Sequence, residues 1–495
     1  MSSLPSYVAS ARGVPQANRA AWYKNTAQTY AGIMLWFVFW HEVPMGSVLN
    51  ADKPYSLFAG GTLACGLGYA FLGLIIAALI CHFLFYLVPG LLGMKTGLPL
   101  YIVGTSTYGV QGGFLMPGFL MGVLQFGWLA VNAFFAGILL CKPFGYGAGS
   151  LPHALVATVW SIAAAFLGLK GIKYVAKVAS FLPLIPFVIL IVLAIDTVGG
   201  IGKFEPQSLI DASLKVSVDV KNAAGETVKL YPKGALPATG VIALLCTYVV
   251  GFFATAGAAG CDFGMNNRNA KDVQLGGLVG IAGAIIYAGG LSLLIVSGVH
   301  GLGRAADPAA LQTTALMSGI VGQKMAAVFW YLLAIAAFPS ACFSSFIAAN
   351  SFKTALPKVN PFISCGTGTI AAIFLAVTGW AGNATDMFNF IGASFGPVCG
   401  AMAADYLLSG RKWAGPRAGF NPAGWISWIA GFAVGAFDLV ANWVPAMADY
   451  RGMVPVPPLT AFIVGFVLYY LLGKLGLESK KLELPGQNLA IDFRL

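Results

Sequence analysis

Long apolar runs, separated by short polar segments, recur along the 495 residues of the chain. A helix that crosses a bilayer needs about 20 mainly apolar residues. The pattern therefore predicts an all-α membrane protein with about twelve spans, at roughly 28–50, 57–90, 113–140, 153–170, 176–197, 237–260, 274–299, 325–350, 361–380, 385–408, 423–445 and 455–474.

Composition agrees with this pattern, and the placement of the basic residues accounts for the net charge of +11. Hydrophobic residues make up 58% of the chain and charged residues only 9%, whereas soluble domains carry about 25% charged residues. Lys and Arg stand singly between apolar runs, not in a basic patch, so we expect them to set the topology. The expected partners are the lipid bilayer and a small-molecule substrate, with no nucleic acid.

The positions of the basic residues predict that both ends of the chain lie in the cytoplasm. Arg12, Arg19 and Lys24 precede the first span, and most other Lys and Arg fall on the same predicted side. We expect a multi-pass protein of the cell membrane, a monomer or weak homo-oligomer. Its predicted segments are a cytoplasmic segment 1–27, a first five-helix repeat 28–197, an extracytoplasmic loop 198–236, a second inverted repeat 237–408, two further helices 409–474 and a cytoplasmic tail 475–495.

The first span contains residues that an ordinary membrane helix does not tolerate. His41 and Glu42 are followed by Pro44 and Gly46 within the apolar run. A charge in hydrocarbon is costly, and proline removes a helix hydrogen bond. Such a break usually lines a binding cavity.

The sixth span offers a matching break at Gly251 to Gly260, which contains three glycines. Each glycine costs about 1 kcal/mol relative to alanine in a helix interior. The loop 198–236 separates five helices from the next five, as at the junction of an inverted 5+5 repeat, whose first helices enclose the substrate. The alternative for these glycines is close helix packing.

Several local patterns together resemble the nucleobase:cation symporter family 1, which includes cytosine, purine and hydantoin permeases. They occur in order between about residue 24 and about residue 440. The matching residues are Leu35-Trp36, His41, Val43-Pro44, Lys95 to Pro99, Tyr108-Gly109, Gly112, Pro117, Gly127-Trp128, Gly168 to Ile172, Asp262-Phe263, Lys271-Asp272, Gly396-Pro397 and Asp405-Tyr406.

The resemblance implies the leucine-transporter type fold, with broken helices one and six, and coupled uptake of a small planar nitrogen heterocycle by alternating access. It also implies that Trp128 and Phe253 sandwich the substrate ring, with Phe252 beside them. Two flat aromatic faces suit a flat solute and leave its edge free for hydrogen bonds.

Polar side chains near Trp128 are candidates for the substrate edge. Gln125 and Asn132 share its helix face, and Asn132 matches a position where some relatives carry a substrate-binding amide. In helix eight the resemblance aligns Ser340 and Ser344 with two asparagines of the family. The alternative for Gln125 and Asn132 is interhelical hydrogen bonding. Weaker candidates, in helix ten, are Asn389 and Ser394.

The coupling ion is left open by two departures from the family. Pro339 stands where relatives have the sodium-binding threonine, which argues against sodium. Glu42 stands where relatives commonly have a neutral residue. It is a candidate proton carrier with His41, or a partner for a cationic or amidine-bearing substrate. The alternative is a structural pair between the two side chains.

Other function classes fit the sequence less well. A channel or uniporter for a small polar solute is one alternative, and an intramembrane enzyme is another. His41-Glu42 begins a zinc-protease pattern, but Met45 occupies the position of its second histidine. We therefore predict no catalytic residues, no metal site and no cofactor, with coupling by H+ or Na+ only.

Overall fold

The structure, a computed structural model, describes residues 4–51, 53–170, 181–221, 225–356 and 358–483. Within these ranges nine continuous helical segments are long and apolar enough to cross a membrane, and one bent pair of helices makes a tenth. The main helices are α1 Thr26–Met34, α2 Phe37–Trp40, α3 Gly66–Ile80, α4 Leu87–Thr96, α5 Leu120–Cys141, α6 Leu151–Lys170, α7 Leu184–Thr197, α8 Ala238–Ala258, α9 Ala270–Gly277, α10 Ala284–Gly301, α11 Thr313–Val321, α12 Gln323–Ala355, α13 Pro361–Val377, α14 Ala384–Leu408, α15 Pro422–Gly435, α16 Phe437–Trp443 and α17 Pro457–Lys474.

Three spans contain a π-helical turn. In two of them the turn joins two α-helices, and in the third it directly precedes an α-helix. These turns are Cys81–Tyr86 between α3 and α4, Phe114–Phe119 before α5, and Leu278–Gly283 between α9 and α10. Short helices also occur outside the main set, at Ser6–Ala9, Leu100–Val103, Thr105–Tyr108, Pro206–Ser213 and Gly260–Gly264.

Most spans lie within a few residues of their predicted positions, and the second is the main exception. It was expected to begin near residue 57 but begins at Gly66. Gly60 and Gly61 have positive φ angles of 75° and 54°, so the chain turns before the helix starts. For the fifth span, residues 176–180 of the prediction lie outside the described residues, and α7 covers 184–197 of the remainder.

The first span is broken, but earlier than Pro44. Helix α1 ends at Met34, Trp36 is extended with φ −61° and ψ 126°, and α2 is a single turn. The chain then leaves the helix before Gly46, which has a φ of +72°. The break therefore extends over most of the segment that the sequence singled out.

The glycine-rich part of the sixth span is helical as far as Ala258, so the only interruption within it falls at its end. Helix α8 is continuous to Ala258, and the helical path pauses only at Ala259 before Gly260–Gly264. A Cβ at Gly251 would lie 2.7 Å from the carbonyl oxygen of Phe388, and one at Gly257 would lie 2.8 Å from Cβ of Phe85. These two glycines therefore allow close packing of helices, the alternative that the sequence left open.

The loop 198–236 has structure of its own beside the second span. Strands β1 Val218–Lys221 and β2 Thr227–Leu230 pair antiparallel, with Val218 opposite Leu230. Backbone hydrogen bonds join Lys233 to Leu57 and Ala59, at 2.7 and 2.9 Å. The loop is thereby fixed to the turn that precedes α3.

The break in the first span is stabilised by hydrogen bonds from other parts of the chain. A backbone carbonyl in a membrane must find a donor when it leaves a helix. The Tyr248 hydroxyl of α8 donates to the carbonyls of Val38 and Phe39, at 3.0 and 2.9 Å. Further carbonyls of the break accept from Trp40 Nε1, Thr313 N, Thr62 Oγ1, Ser56 Oγ and Thr385 Oγ1.

Candidate functional site

Six aromatic rings gather where the break of the first span meets α8, and we call them the aromatic cluster. Phe252 of α8 lies in its middle, with ring centroids 5.1 Å from Trp128, 5.0 Å from Phe39, 5.2 Å from Phe388 and 6.1 Å from Trp36. The sixth ring is that of Tyr248, which stacks on Phe39. The cluster thus joins the first span, α5, α8 and α14.

Trp128, a predicted substrate-binding residue, lies in the cluster, and its indole nitrogen already makes a hydrogen bond to the protein. The Trp128 Nε1 donates to Thr255 Oγ1 of α8 at 3.1 Å. Its ring contacts Trp36 edge-on at 6.0 Å and Phe388 at 5.5 Å. Trp128 can therefore offer a face to a ligand while its edge stays bound to the protein.

Phe252 is the α8 ring that contacts Trp128, whereas the predicted sandwich pairs Trp128 with Phe253. The Phe253 ring packs against Tyr30 of α1, at 5.8 Å between centroids. Successive residues of an α-helix point about 100° apart because each turn holds 3.6 residues. Phe252 and Phe253 therefore point to different sides of α8.

Asn132 is held between helices, although it shares a face with Trp128. Its Nδ2 donates to the carbonyl of Ala337 in α12 at 2.9 Å, and its Oδ1 accepts from Trp160 Nε1 of α6 at 2.9 Å. The amide links three helices, which is the structural alternative named for this residue. Gln125 is buried about two turns before Asn132, with Nε2 3.5 Å from the sulfur of Met121.

The other polar candidates lie on α12 and α14. Ser344 is buried and Ser340 is partly buried, both on α12. Ser394 donates to the carbonyl of Phe390, which keeps its hydroxyl within α14. Asn389 directly follows the cluster residue Phe388, and its Oδ1 is buried without a hydrogen-bond partner.

Glu42 is fully within the protein and contacts the segment that precedes α11. Its Oε1 accepts from Gln312 Nε2 at 3.2 Å and lies 3.6 Å from His41 Nε2. The other ring nitrogen of His41 is 3.0 Å from Thr314 Oγ1, and the His41 carbonyl accepts from the backbone of Thr313. Glu42 thus accepts from Gln312 and not from the indole or hydroxyl groups of the aromatic cluster.

Several residues of this region were not singled out as site residues from the sequence. Trp36 was seen only as part of a motif, and Phe388 was not considered. Gln312 lies in a loop without a recognisable pattern, about 270 positions from Glu42. The aromatic spacing of the first span offered a signal for Trp36, whereas nothing local marked Gln312.

The second ionic feature of the chain lies at the end of α14, away from the cluster. Arg417 is buried, and its guanidinium contacts Asp405 at 2.9 Å and Glu478 at 2.7 Å. The same carboxylate of Asp405 accepts from the hydroxyls of Ser106 and Thr107. Asp405 thus anchors loops at the end of α14.

Comparison with known proteins gives a consistent result over most of the chain. Residues 23–436 match a family of permeases described as being for cytosine/purines, uracil, thiamine and allantoin. The cytosine permease of Escherichia coli strain K12 is 26% identical over 426 residues, which cover 84% of this chain and 86% of that protein. The cytosine permease of Escherichia coli O157:H7 is 25% identical over the same length.

Two solved structures of Mhp1 are similar in fold. One, in an inward-facing conformation, has a TM-score of 0.59 at 13% identity and covers 94% of each chain. The other is described as a nucleobase-cation-symport-1 family transporter in a closed conformation with bromovinylhydantoin bound. Its TM-score is 0.57 at 14% identity, and it covers 93% of this chain and 92% of its own. This likeness confirms the predicted fold class.

Proposed function

Because the chain belongs to the family of permeases for cytosine/purines, uracil, thiamine and allantoin, we propose that it imports a small planar nitrogenous compound by alternating access. The proposed mode is secondary active transport, with the solute and a coupling ion moving in the same direction. The solute class is a nucleobase or related heterocycle, and the site is the aromatic cluster.

The observation that carries this proposal is the position of the aromatic cluster. Its rings meet at the break of the first span and at α8, the two elements that open the two halves of the chain. Flat rings recognise a flat solute through stacking, and polar groups beside a helix break can read its edge. The names of the relatives support the same class of solute, since a cytosine permease and a hydantoin-bound transporter both handle planar nitrogen rings.

The cluster has to open for such a solute to stack between Trp128 and Phe252. The two rings meet edge to face at 5.1 Å between centroids. A ring held between two faces needs about 7 Å, because each stacked contact takes about 3.5 Å. We infer that Phe252 moves aside or turns when the solute enters, and that Phe252 and Trp128 then form the two walls.

Glu42 is the proposed coupling site, with His41 beside it. The carboxylate is bonded to Gln312, and no group of the aromatic cluster donates to it, so it is placed better for a proton than for the solute. We propose proton coupling on this ground. A cell-membrane location with both termini in the cytoplasm is proposed from the Lys and Arg distribution.

The class of solute is tested by thermal unfolding of the purified protein in detergent. We expect at least one planar compound among nucleobases, hydantoins and ureides to raise the unfolding temperature, because a ligand at 100 times its Kd stabilises by about 2.7 kcal/mol. Guanidino compounds form a second set, and proline serves as a non-planar control. The series is run with and without sodium and at two pH values. If no planar nitrogen compound stabilises the protein, the proposed class is wrong.

Two neighbouring phenylalanines of α8 provide a matched test of the site. Phe252→Leu removes an aromatic face from the cluster, and Phe253→Leu makes the same change against Tyr30. We expect Phe252→Leu to weaken solute binding roughly 3- to 10-fold, the value of one aromatic contact. Phe253→Leu should leave the Kd nearly unchanged at a similar loss of stability. Equal effects of the two variants on the Kd, measured by thermal shift or radioligand binding, would contradict the assignment of Phe252.

A further inference from the structure

The indole nitrogen of Trp36 is a buried hydrogen-bond donor without a partner. The side chain is only 9% exposed, and its Nε1 makes no hydrogen bond. A buried indole N–H usually finds an acceptor, because leaving it unpaired costs the free energy of its lost hydration. This donor therefore calls for a specific explanation.

Six other tryptophans of the chain follow the usual pattern. Their N–H groups donate to acceptors on neighbouring helices or loops at 2.8 to 3.1 Å. The residues are Trp40, Trp128, Trp160, Trp330, Trp413 and Trp428. Trp40 is the closest comparison, since it lies four residues after Trp36 and donates to the carbonyl of Leu35 within the same break.

The backbone of Trp36 is satisfied, so only the indole N–H lacks a partner. Its amide donates to the carbonyl of Ile33 at 3.3 Å, and its carbonyl accepts from Phe39 at 2.9 Å. The extended conformation of Trp36 places the residue between α1 and α2, and its ring contacts Trp128 and Phe252. The free donor therefore belongs to a ring that borders the proposed solute site.

We propose that the Trp36 indole N–H donates a hydrogen bond to an acceptor atom on the edge of the transported solute. This inference rests on the proposed function of the aromatic cluster. Trp128 supplies a face and has its own N–H committed to Thr255, whereas Trp36 supplies an edge donor. The two residues thus read different features of the same flat molecule.

The proposal restricts the class of solute further. A suitable solute carries a carbonyl oxygen or an unprotonated ring nitrogen on the edge that faces the first span. Guanidinium and amidinium cations offer only donors along their edges, so they would leave the Trp36 N–H unpaired. The site should therefore prefer neutral heterocycles that carry acceptors over guanidino compounds.

The test compares pairs of compounds that differ in one acceptor. Cytosine is paired with 4-aminopyrimidine, which lacks the ring carbonyl, and adenine with 7-deazaadenine, which has carbon in place of one ring nitrogen. We expect the native protein to prefer the acceptor-bearing member of at least one pair roughly tenfold, the effect of one hydrogen bond. In Trp36→Phe this preference should fall to near one.

Trp425→Phe is the matched control, because Trp425 also has a buried indole nitrogen without a partner. It lies on α15 and contacts Phe420 and Trp428, outside the aromatic cluster. This variant should keep the native preference. Replacement of Trp36 by 3-benzothienylalanine, which has sulfur in place of the N–H, gives the same test with the ring shape conserved if Trp36→Phe does not fold.

Each outcome of this test supports or overturns the role proposed for the Trp36 N–H. Loss of the preference in both Trp36 replacements, with retention in Trp425→Phe, supports the proposal. The Trp36 proposal is overturned if the native protein binds heterocycles without preferring acceptors. It is also overturned if the preference survives in the Trp36 variants. In both cases the proposed function stands. A native protein that binds no planar heterocycle overturns the proposed function and this inference together.

Discussion

Arg417→Met is expected to lower the stability of the protein by about 3–5 kcal/mol, more than any other single change proposed for this chain. Arg417 is 1% exposed and lies between the carboxylates of Asp405 and Glu478. Removing it leaves Asp405, which is 3% exposed, as a buried charge without its cation. The loss is measured as a fall in the unfolding temperature of the purified protein in detergent.

Arg304→Met is the control for this change. Arg304 forms an ion pair with Asp196 at the same short distance of 2.7 Å, but both side chains are more than 40% exposed. Exposed ion pairs contribute about 0–1 kcal/mol, so this variant should unfold close to the native temperature. Arg417→Met combined with Asp405→Asn should recover part of the loss, because the buried charge is then gone as well. Equal stability of the two single variants would refute this explanation.

The Arg417 network shows why some features escape sequence reasoning. In the sequence Arg417 is one basic residue in a loop between two spans, and the positive-inside rule accounts for it completely. Its partners lie 12 residues before it and 61 residues after it. Only the folding of the segment 478–482 against 416–421 brings them together, through backbone bonds such as Leu482 to Pro416.

The helical fold itself could be predicted well, because hydrophobic length follows directly from the thickness of a membrane. The family resemblance is confirmed by the match over residues 23–436. Breaks were harder to place. The glycines at 251 and 257 were interpreted as helix-breaking residues, but glycine in a membrane helix also permits close packing of neighbouring helices. Composition alone does not distinguish these two roles. Composition also did not show where the second span begins. The helix was expected near residue 57 but starts only after Gly60, which has a positive φ.

Sequence reasoning placed the candidate site residues on helices but did not give their neighbours. Trp128 was expected to pair with Phe253 around a solute, whereas the Phe253 ring packs against Tyr30 and Phe252 contacts Trp128, because successive helix residues point about 100° apart. Asn132 shares the face of Trp128, yet its amide is held by Trp160 and Ala337 on two other helices. Sequence periodicity gives the face of a helix but not which neighbour packs against it.

Glu42→Gln is the second change with a large expected effect, on coupling and not on stability. The glutamine oxygen can still accept from Gln312, so the local hydrogen bond is kept while the titratable group is lost. In proteoliposomes with a pH gradient of one unit, one proton per solute can concentrate the solute up to about tenfold. We expect the variant to bring the solute only to equal concentrations on both sides.

Exchange measurements separate the two roles that the sequence left open for Glu42. If the carboxylate carries the proton, Glu42→Gln loses concentrative uptake but keeps solute exchange at equal pH, because exchange needs no net proton movement. If it binds a cationic part of the solute, the Kd rises and both activities fall. Glu205→Gln, an exposed carboxylate in the loop 198–236, controls for a general effect of lost charge and should behave as the native protein does.

The structure favours the first of these outcomes for a geometric reason. Glu42 lies six residues beyond Trp36, on the far side of α2, and its oxygen is bonded to a segment that joins α10 to α11. A proton on Glu42 would therefore change the contact between the first span and that segment without touching the solute. Accumulation that persists in Glu42→Gln under a pH gradient, or an unchanged sodium requirement in both proteins, would show that the coupling ion binds elsewhere.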